Sequence, residues 1–110
     1  MEMTTGVESG VCFVRVSGRL DALTAPDFDR QFAPAAAGGK AFVIDLTGLE
    51  YISSAGLRSM LVAAKLVKAG SGSLCLFGLA PAVKEVFRIS GFHTILTLRE
   101  TEAEALRALP

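Results

Sequence analysis

Three short apolar runs limit what this chain can become: VCFVRVSG (Val11–Gly18), AFVIDL (Ala41–Leu46) and SLCLFG (Ser73–Gly78). The first is frequent in β-branched residues and Phe and reads as a strand that Gly18 ends. The second and third are apolar at consecutive positions, which suits strands covered on both faces. The first alternates, with Arg15 on one face, so that strand is expected at a sheet edge or in a half-solvated position.

The segments between these runs carry helical spacing. TAPDFDRQFAPAAA (Thr24–Ala37) has Thr24 as a candidate N-cap and Pro26 in its first turn, where a missing N–H does no harm; APAAAGG (Ala33–Gly39) is its frayed end with a glycine stop. In SAGLRSMLVAAKLVKAG (Ser54–Gly70), Leu57, Met60, Leu61, Ala64 and Val67 recur on one face, and Gly70 closes the helix. APAVKEVFRISG (Ala80–Gly91) starts on Pro81 and stops on Gly91; TILTL (Thr94–Leu98) is expected as a last strand, and TEAEALRAL (Thr101–Leu109) as a helix capped by Thr101. An additional strand is expected around Thr4–Glu8. Strands separated by helices need crossover connections, so the order βαβαβαβα predicts an α/β fold with a largely parallel sheet. Met60 and Phe77 are expected in its core.

The 110 residues fit one domain, and with 51% hydrophobic residues a core needs no metal or disulfide staple. Cys12 and Cys75, inside apolar runs, are expected as buried free thiols, which implies a reducing compartment. The 11 basic and 11 acidic residues cancel, leaving no basic field for nucleic acid. Neutrality with a mean hydropathy of +0.48 points to apolar surface covered by a partner. The opening MEMTTGVESG lacks the basic and apolar regions of a signal peptide, and no apolar stretch approaches the ~18 residues that span a bilayer. The expectation is a cytoplasmic protein without membrane insertion.

Enzyme constellations are mostly absent from the sequence. The single histidine, His93, follows SGF in an expected loop and reads as a surface imidazole. GSG (Gly70–Gly72) precedes a strand rather than a helix, the wrong order for cradling phosphate. The acids are scattered without metal-ligand spacing. The informative stretch is instead EYISSAGLRSML (Glu50–Leu61), in which two hydroxyls and a glycine stand where a helix begins. Ser53 or Ser54 as an N-cap, worth ~1 kcal/mol, explains one serine. It does not explain Gly56, which in a first helical turn costs ~1 kcal/mol relative to Ala. A small residue beside an exposed hydroxyl permits another protein to approach closely. A phosphate on that hydroxyl would meet helix N–H groups and the helix dipole, so the fold would tolerate it while a docked partner would not.

Three blocks in order, VSGRLDALTA, VIDLTGLEYISSAGL and LFGLAPAVKEVFRISGF, resemble the STAS-domain family, specifically the single-domain bacterial anti-sigma factor antagonists, over nearly the whole length. The resemblance implies one STAS domain over residues 1–110, with a mixed, largely parallel sheet and helices packed mainly on one face. It implies a partner switch rather than an enzyme, with no cofactor. The unmodified protein binds an anti-sigma factor that is a serine kinase of the histidine-kinase-like ATPase fold; phosphorylation releases it, and a PP2C-type phosphatase restores it. The phosphoacceptor carries over to Ser54, with Ser53 as rival. Asp21 and Asp45 match acidic positions near the phosphorylation loop. Ser53 stands where the family motif often has Asp, Ala55 where Ser or Thr is common, and Arg19 where an acid is frequent. A partner surface is expected over Asp21, Ser53, Ala55, Gly56, Arg58, Val62 and Lys65, with Arg58, Ser59, Val62 and Lys65 on the helix side away from the core stripe. The alternatives are an unphosphorylated STAS interaction subunit of a lipid-transport or stress-sensing assembly, and a small ligand-binding or catalytic α/β domain. A monomer is the expected state.

Overall fold

The computed structural model describes residues 1–110. Its elements run β1 (Glu2–Glu8), β2 (Val11–Leu20), α1 (Ala25–Gly38), β3 (Ala41–Asp45), β4 (Leu49–Ile52), α2 (Ser54–Ala69), β5 (Ser73–Phe77), α3 (Pro81–Ser90), a 3-10 turn (Phe92–Thr94), β6 (Leu98–Arg99) and α4 (Glu102–Ala108). The sheet order is β1-β2-β3-β5-β6, with β4 paired to the far end of β2. Only β1 and β2 are antiparallel, joined as a hairpin through Ser9 and Gly10; all other pairs are parallel, as the βα alternation requires.

Alternate residues of the strands feed two unequal cores. Cys12, Val14 and Val16 of β2, Phe42 and Ile44 of β3, and Leu76 of β5 face α1, α2 and α3, meeting Phe28, Phe32, Leu57, Met60, Val83 and Phe87. The opposite face carries Val43, Cys75 and Phe77, covered by Ala105 of α4 with Val11, Phe13 and Leu109 alongside. Three helices on one face and a short fourth on the other give the mixed, mainly one-sided α/β arrangement expected. Met60 and Phe77 are core residues, and both cysteines are buried free thiols. Burial raises the pKa of both thiols above the usual cysteine range.

Three local readings are corrected. Gly18 does not end its strand: it takes a positive φ of 84°, the register shifts there, and β2 continues to Leu20. The continuation pairs with β4, a four-residue strand absent from the expected order. Thr94–Leu98 is mostly not strand: Thr94 closes the 3-10 turn, and only Leu98 and Arg99 pair with β5. Of the two positions expected for Arg15, the half-solvated one is found: its strand is interior, its side chain is exposed, and its guanidinium meets the Asp45 carboxylate on β3 at 3.0 Å.

The helix ends follow their residues. Pro81 opens α3, and Gly91 in the left-handed region closes it. Thr101 and Glu104 form a reciprocal capping box on α4. Phe32 is the keystone between α1 and the sheet, 5.5 Å from the Phe28 ring and 5.7 Å from the Phe42 ring. Phe32→Ala is therefore expected to lower unfolding free energy by about 3–5 kcal/mol in a urea titration.

Candidate functional site

The site lies where β2 and β4 end and α2 begins. The Ser53 N–H donates to the Leu20 carbonyl at 3.0 Å, pinning the start of α2 to the last residue of β2. Ser53 is the N-cap: its backbone is extended, and its hydroxyl accepts from the Gly56 N–H at a long 3.4 Å. That hydroxyl is thus used by the fold. Ser54 is the first helical residue, exposed, and its hydroxyl makes no hydrogen bond within the chain. The amides of Ser54 and Ala55 have no intrahelical acceptor, and no acid lies in this first turn. The two serines therefore have different surroundings: one caps, the other is free.

Gly56 is not part of a partner-facing surface. It is buried, and a Cβ there would stand 2.6 Å from the Leu20 carbonyl oxygen and 2.7 Å from Ile52 Cγ1. Its smallness serves the close approach of α2 to the chain's own β2 and β4. Ser59 also moves from the expected list: it is buried, beside the contact with α1 that involves Phe28, Phe32 and Ala63. Arg58, Val62 and Lys65 are exposed as expected, and Ala55 is half-buried.

Asp21 is close in the chain to the pinned Leu20, but its carboxylate is turned into its own loop. Oδ1 accepts from the N–H of Leu23 at 3.0 Å and of Thr24 at 3.2 Å, and lies 3.2 Å from the Thr24 hydroxyl. The Thr24 hydroxyl in turn accepts from the Asp21 N–H and donates to the Arg19 carbonyl. Thr24 stands at the N-cap position of α1, yet its side chain ties the loop instead of capping the helix. Asp45 is likewise committed, to Arg15 and to the Thr47 amide and hydroxyl, and neither acid is bonded to Ser53 or Ser54.

Two exposed apolar side chains were not singled out from the sequence. Leu23, at the tip of the Asp21 loop, is 88% exposed, and Leu66, four residues after Val62 on α2, is 45% exposed. Arg19 stacks over the Tyr51 ring at 4.2 Å, which fixes an exposed aromatic on β4. No group of three His, Cys, Asp or Glu side chains is brought together as a metal site, and no helix is long and apolar enough to cross a membrane.

The fold and site together define a small α/β protein whose distinguishing feature is an unbonded serine at the start of a helix locked to a central strand. The chain belongs to the STAS domain family, whose model matches residues 2–105. It is 37% identical, across 100% of this chain and 99% of the relative, to BtrV of Bordetella bronchiseptica, assigned as an anti-sigma factor antagonist. It is 32% identical to the anti-sigma-B factor antagonist of Listeria monocytogenes over 81% of this chain and 79% of that one. The structure of an anti-sigma factor antagonist from Mycobacterium paratuberculosis superposes with a TM-score of 0.89 at 27% identity, covering 98% of this chain and 92% of that one.

Two outcomes follow from the geometry. Gly56→Ala is expected to destabilise by about 1–3 kcal/mol in urea unfolding, since overpacking against a backbone carbonyl outweighs the better helix propensity of Ala. Desolvation is the largest single influence on Asp21 and raises its pKa. The hydrogen bonds from Thr24 and Leu23 and the charge of Arg19 together outweigh it and leave the carboxyl below its ordinary 3.8. With the folded value depressed, the loop's stabilisation is present above that ordinary value and lost as pH falls through the folded one. The Leu23 and Thr24 amide resonances are expected to titrate with a midpoint below 3.8.

Proposed function

We propose that this chain is an anti-sigma factor antagonist switched by phosphorylation of Ser54. Unmodified, it binds an anti-sigma factor that is also a serine kinase of the histidine-kinase-like ATPase fold. In the transfer, Ser54 Oγ attacks the γ-phosphorus of ATP, ADP leaves, and the hydroxyl proton goes to a base on the kinase. The modified chain is released, and a PP2C-type phosphatase hydrolyses the phosphoserine. The chain is the substrate of these enzymes rather than an enzyme, and acts as a monomeric single STAS domain in the cytoplasm.

The observation that carries this reading is the difference between the two serines. Ser53 is held as the N-cap, whereas the Ser54 hydroxyl is exposed and unbonded at the positive end of a helix. The relatives in Bordetella bronchiseptica and Listeria monocytogenes support the antagonist class. Contacts on the anti-sigma factor are proposed for Ala55, Arg58, Val62 and Lys65. Asp21 serves there by holding the Leu23 loop that follows Leu20, the residue to which Ser53 is bonded, and Ser53 and Gly56 by fixing the helix start.

The test is intact mass after incubation of the chain with Mg-ATP and lysate of its native cell. One added phosphate is expected in the wild type and in Ser53→Ala, and none in Ser54→Ala. Full modification of Ser54→Ala would sink the assignment. No phosphate in any sample, with a known substrate modified in the same lysate, would leave the unphosphorylated interaction subunit as the reading.

A further inference from the structure

Ser54, Arg58, Val62 and Leu66 succeed one another by four along α2, so they form one strip of its surface. All four are exposed. The helix has no acidic residue anywhere in SAGLRSMLVAAKLVKA, and its cations Arg58, Lys65 and Lys68 take part in none of the chain's five ion pairs. In a chain whose charges sum to zero, α2 is a local cationic surface on which Arg58 shares a strip with Val62 and Leu66, and Lys65 and Lys68 lie further along the helix. It suits a partner surface with carboxylates around an apolar contact. Arg58 is its cation nearest the acceptor.

We propose that Arg58 is the internal receiver of the Ser54 phosphate, an inference that rests on the phospho-switch proposed above. The two residues are one turn apart, about 6 Å along the axis, with the anion on the N-terminal side, the favourable order for a pair at this spacing. A guanidinium matches phosphate oxygens with two parallel N–H donors, and no other anion in the chain competes for this one. Modification then acts twice. It sets a dianion at the edge of the docking strip, and it withdraws the cation that paired with the partner. Release follows from losing an attraction as well as from gaining a repulsion.

The experiment is a 31P NMR titration of the full chain with phosphoserine placed at position 54 during biosynthesis, in the wild type and in Arg58→Gln, Arg58→Lys and Lys65→Gln. A neighbouring cation favours the dianion, so the second phosphate pKa is expected about 0.2–0.4 unit lower in the wild type than in Arg58→Gln. Arg58→Lys is expected to restore part of that shift. Lys65, about 16 Å from residue 54 along the helix axis, is expected to leave the titration of the wild type unchanged when replaced by Gln. Identical titrations for the wild type and Arg58→Gln would overturn the proposal. So would a Lys65→Gln shift as large as that of Arg58→Gln, which would mark a general field. Because no kinase is needed, a failed titration counts against Arg58 alone, whereas failed incorporation in the lysate counts against the switch itself.

Discussion

The contact on which the rest of the site depends is the seating of the first turn of α2 on the end of β2. The Ser53 N–H bonds the Leu20 carbonyl, and the missing side chain of Gly56 lets the helix come within reach of that same carbonyl and of Ile52. Backbone here packs on backbone, so the helix start has little freedom to slide or tilt. The position of Ser54 follows from this seating. A hydroxyl on a flexible loop would offer a kinase a poorly defined target; here one residue inside a helix fixes it.

That seating depends on how β2 is built. Its first half is an interior strand, bonded to β1 on one side and to β3 on the other. At Gly18 the positive φ and the shifted register re-aim its second half toward β4, carrying Arg19 over Tyr51 and Leu20 to Ile52. The strand leaves the sheet into the Asp21 loop, which Asp21 and Thr24 knot so that Leu23 points to solvent. One strand thus joins the core, the helix start and the exposed loop.

The elements legible in the sequence were those whose signal is local. Consecutive apolar residues marked β3 and β5, Pro81 and Gly91 bracketed α3, and Thr101 announced the cap of α4. The illegible parts are set by tertiary contact. β4 has four residues, of which only Leu49 and Ile52 are buried, and it pairs only because Gly18 redirects β2. Ser59 is polar and lies off the apolar stripe, yet α1 covers it. Gly56 looked like an opening for another protein because its real neighbours, Leu20 and Ile52, become close only through the fold. Asp21 was visible as an acid, but nothing in the string of residues shows that its oxygens are already bonded within the loop.

The same seating explains why the proposed switch separates fold from binding. A phosphate on Ser54 adds about −1.5 to −2 charges at a helix start, where anions are favoured by ~0.3–1 kcal/mol, and it stands clear of the Ser53 cap and the buried Gly56. The folded domain therefore loses nothing by carrying it. A partner resting on α2 meets the same group on a drying surface, and burying an ion without compensation costs several kcal/mol. That difference of sign arises because the acceptor is one residue beyond the cap. Had the phosphate landed on Ser53, it would have displaced the hydroxyl that receives the Gly56 N–H and strained the contact with Leu20, coupling release to damage of the fold. The offset of a single residue between the capping serine and the free one is what lets one covalent event act on the interface alone.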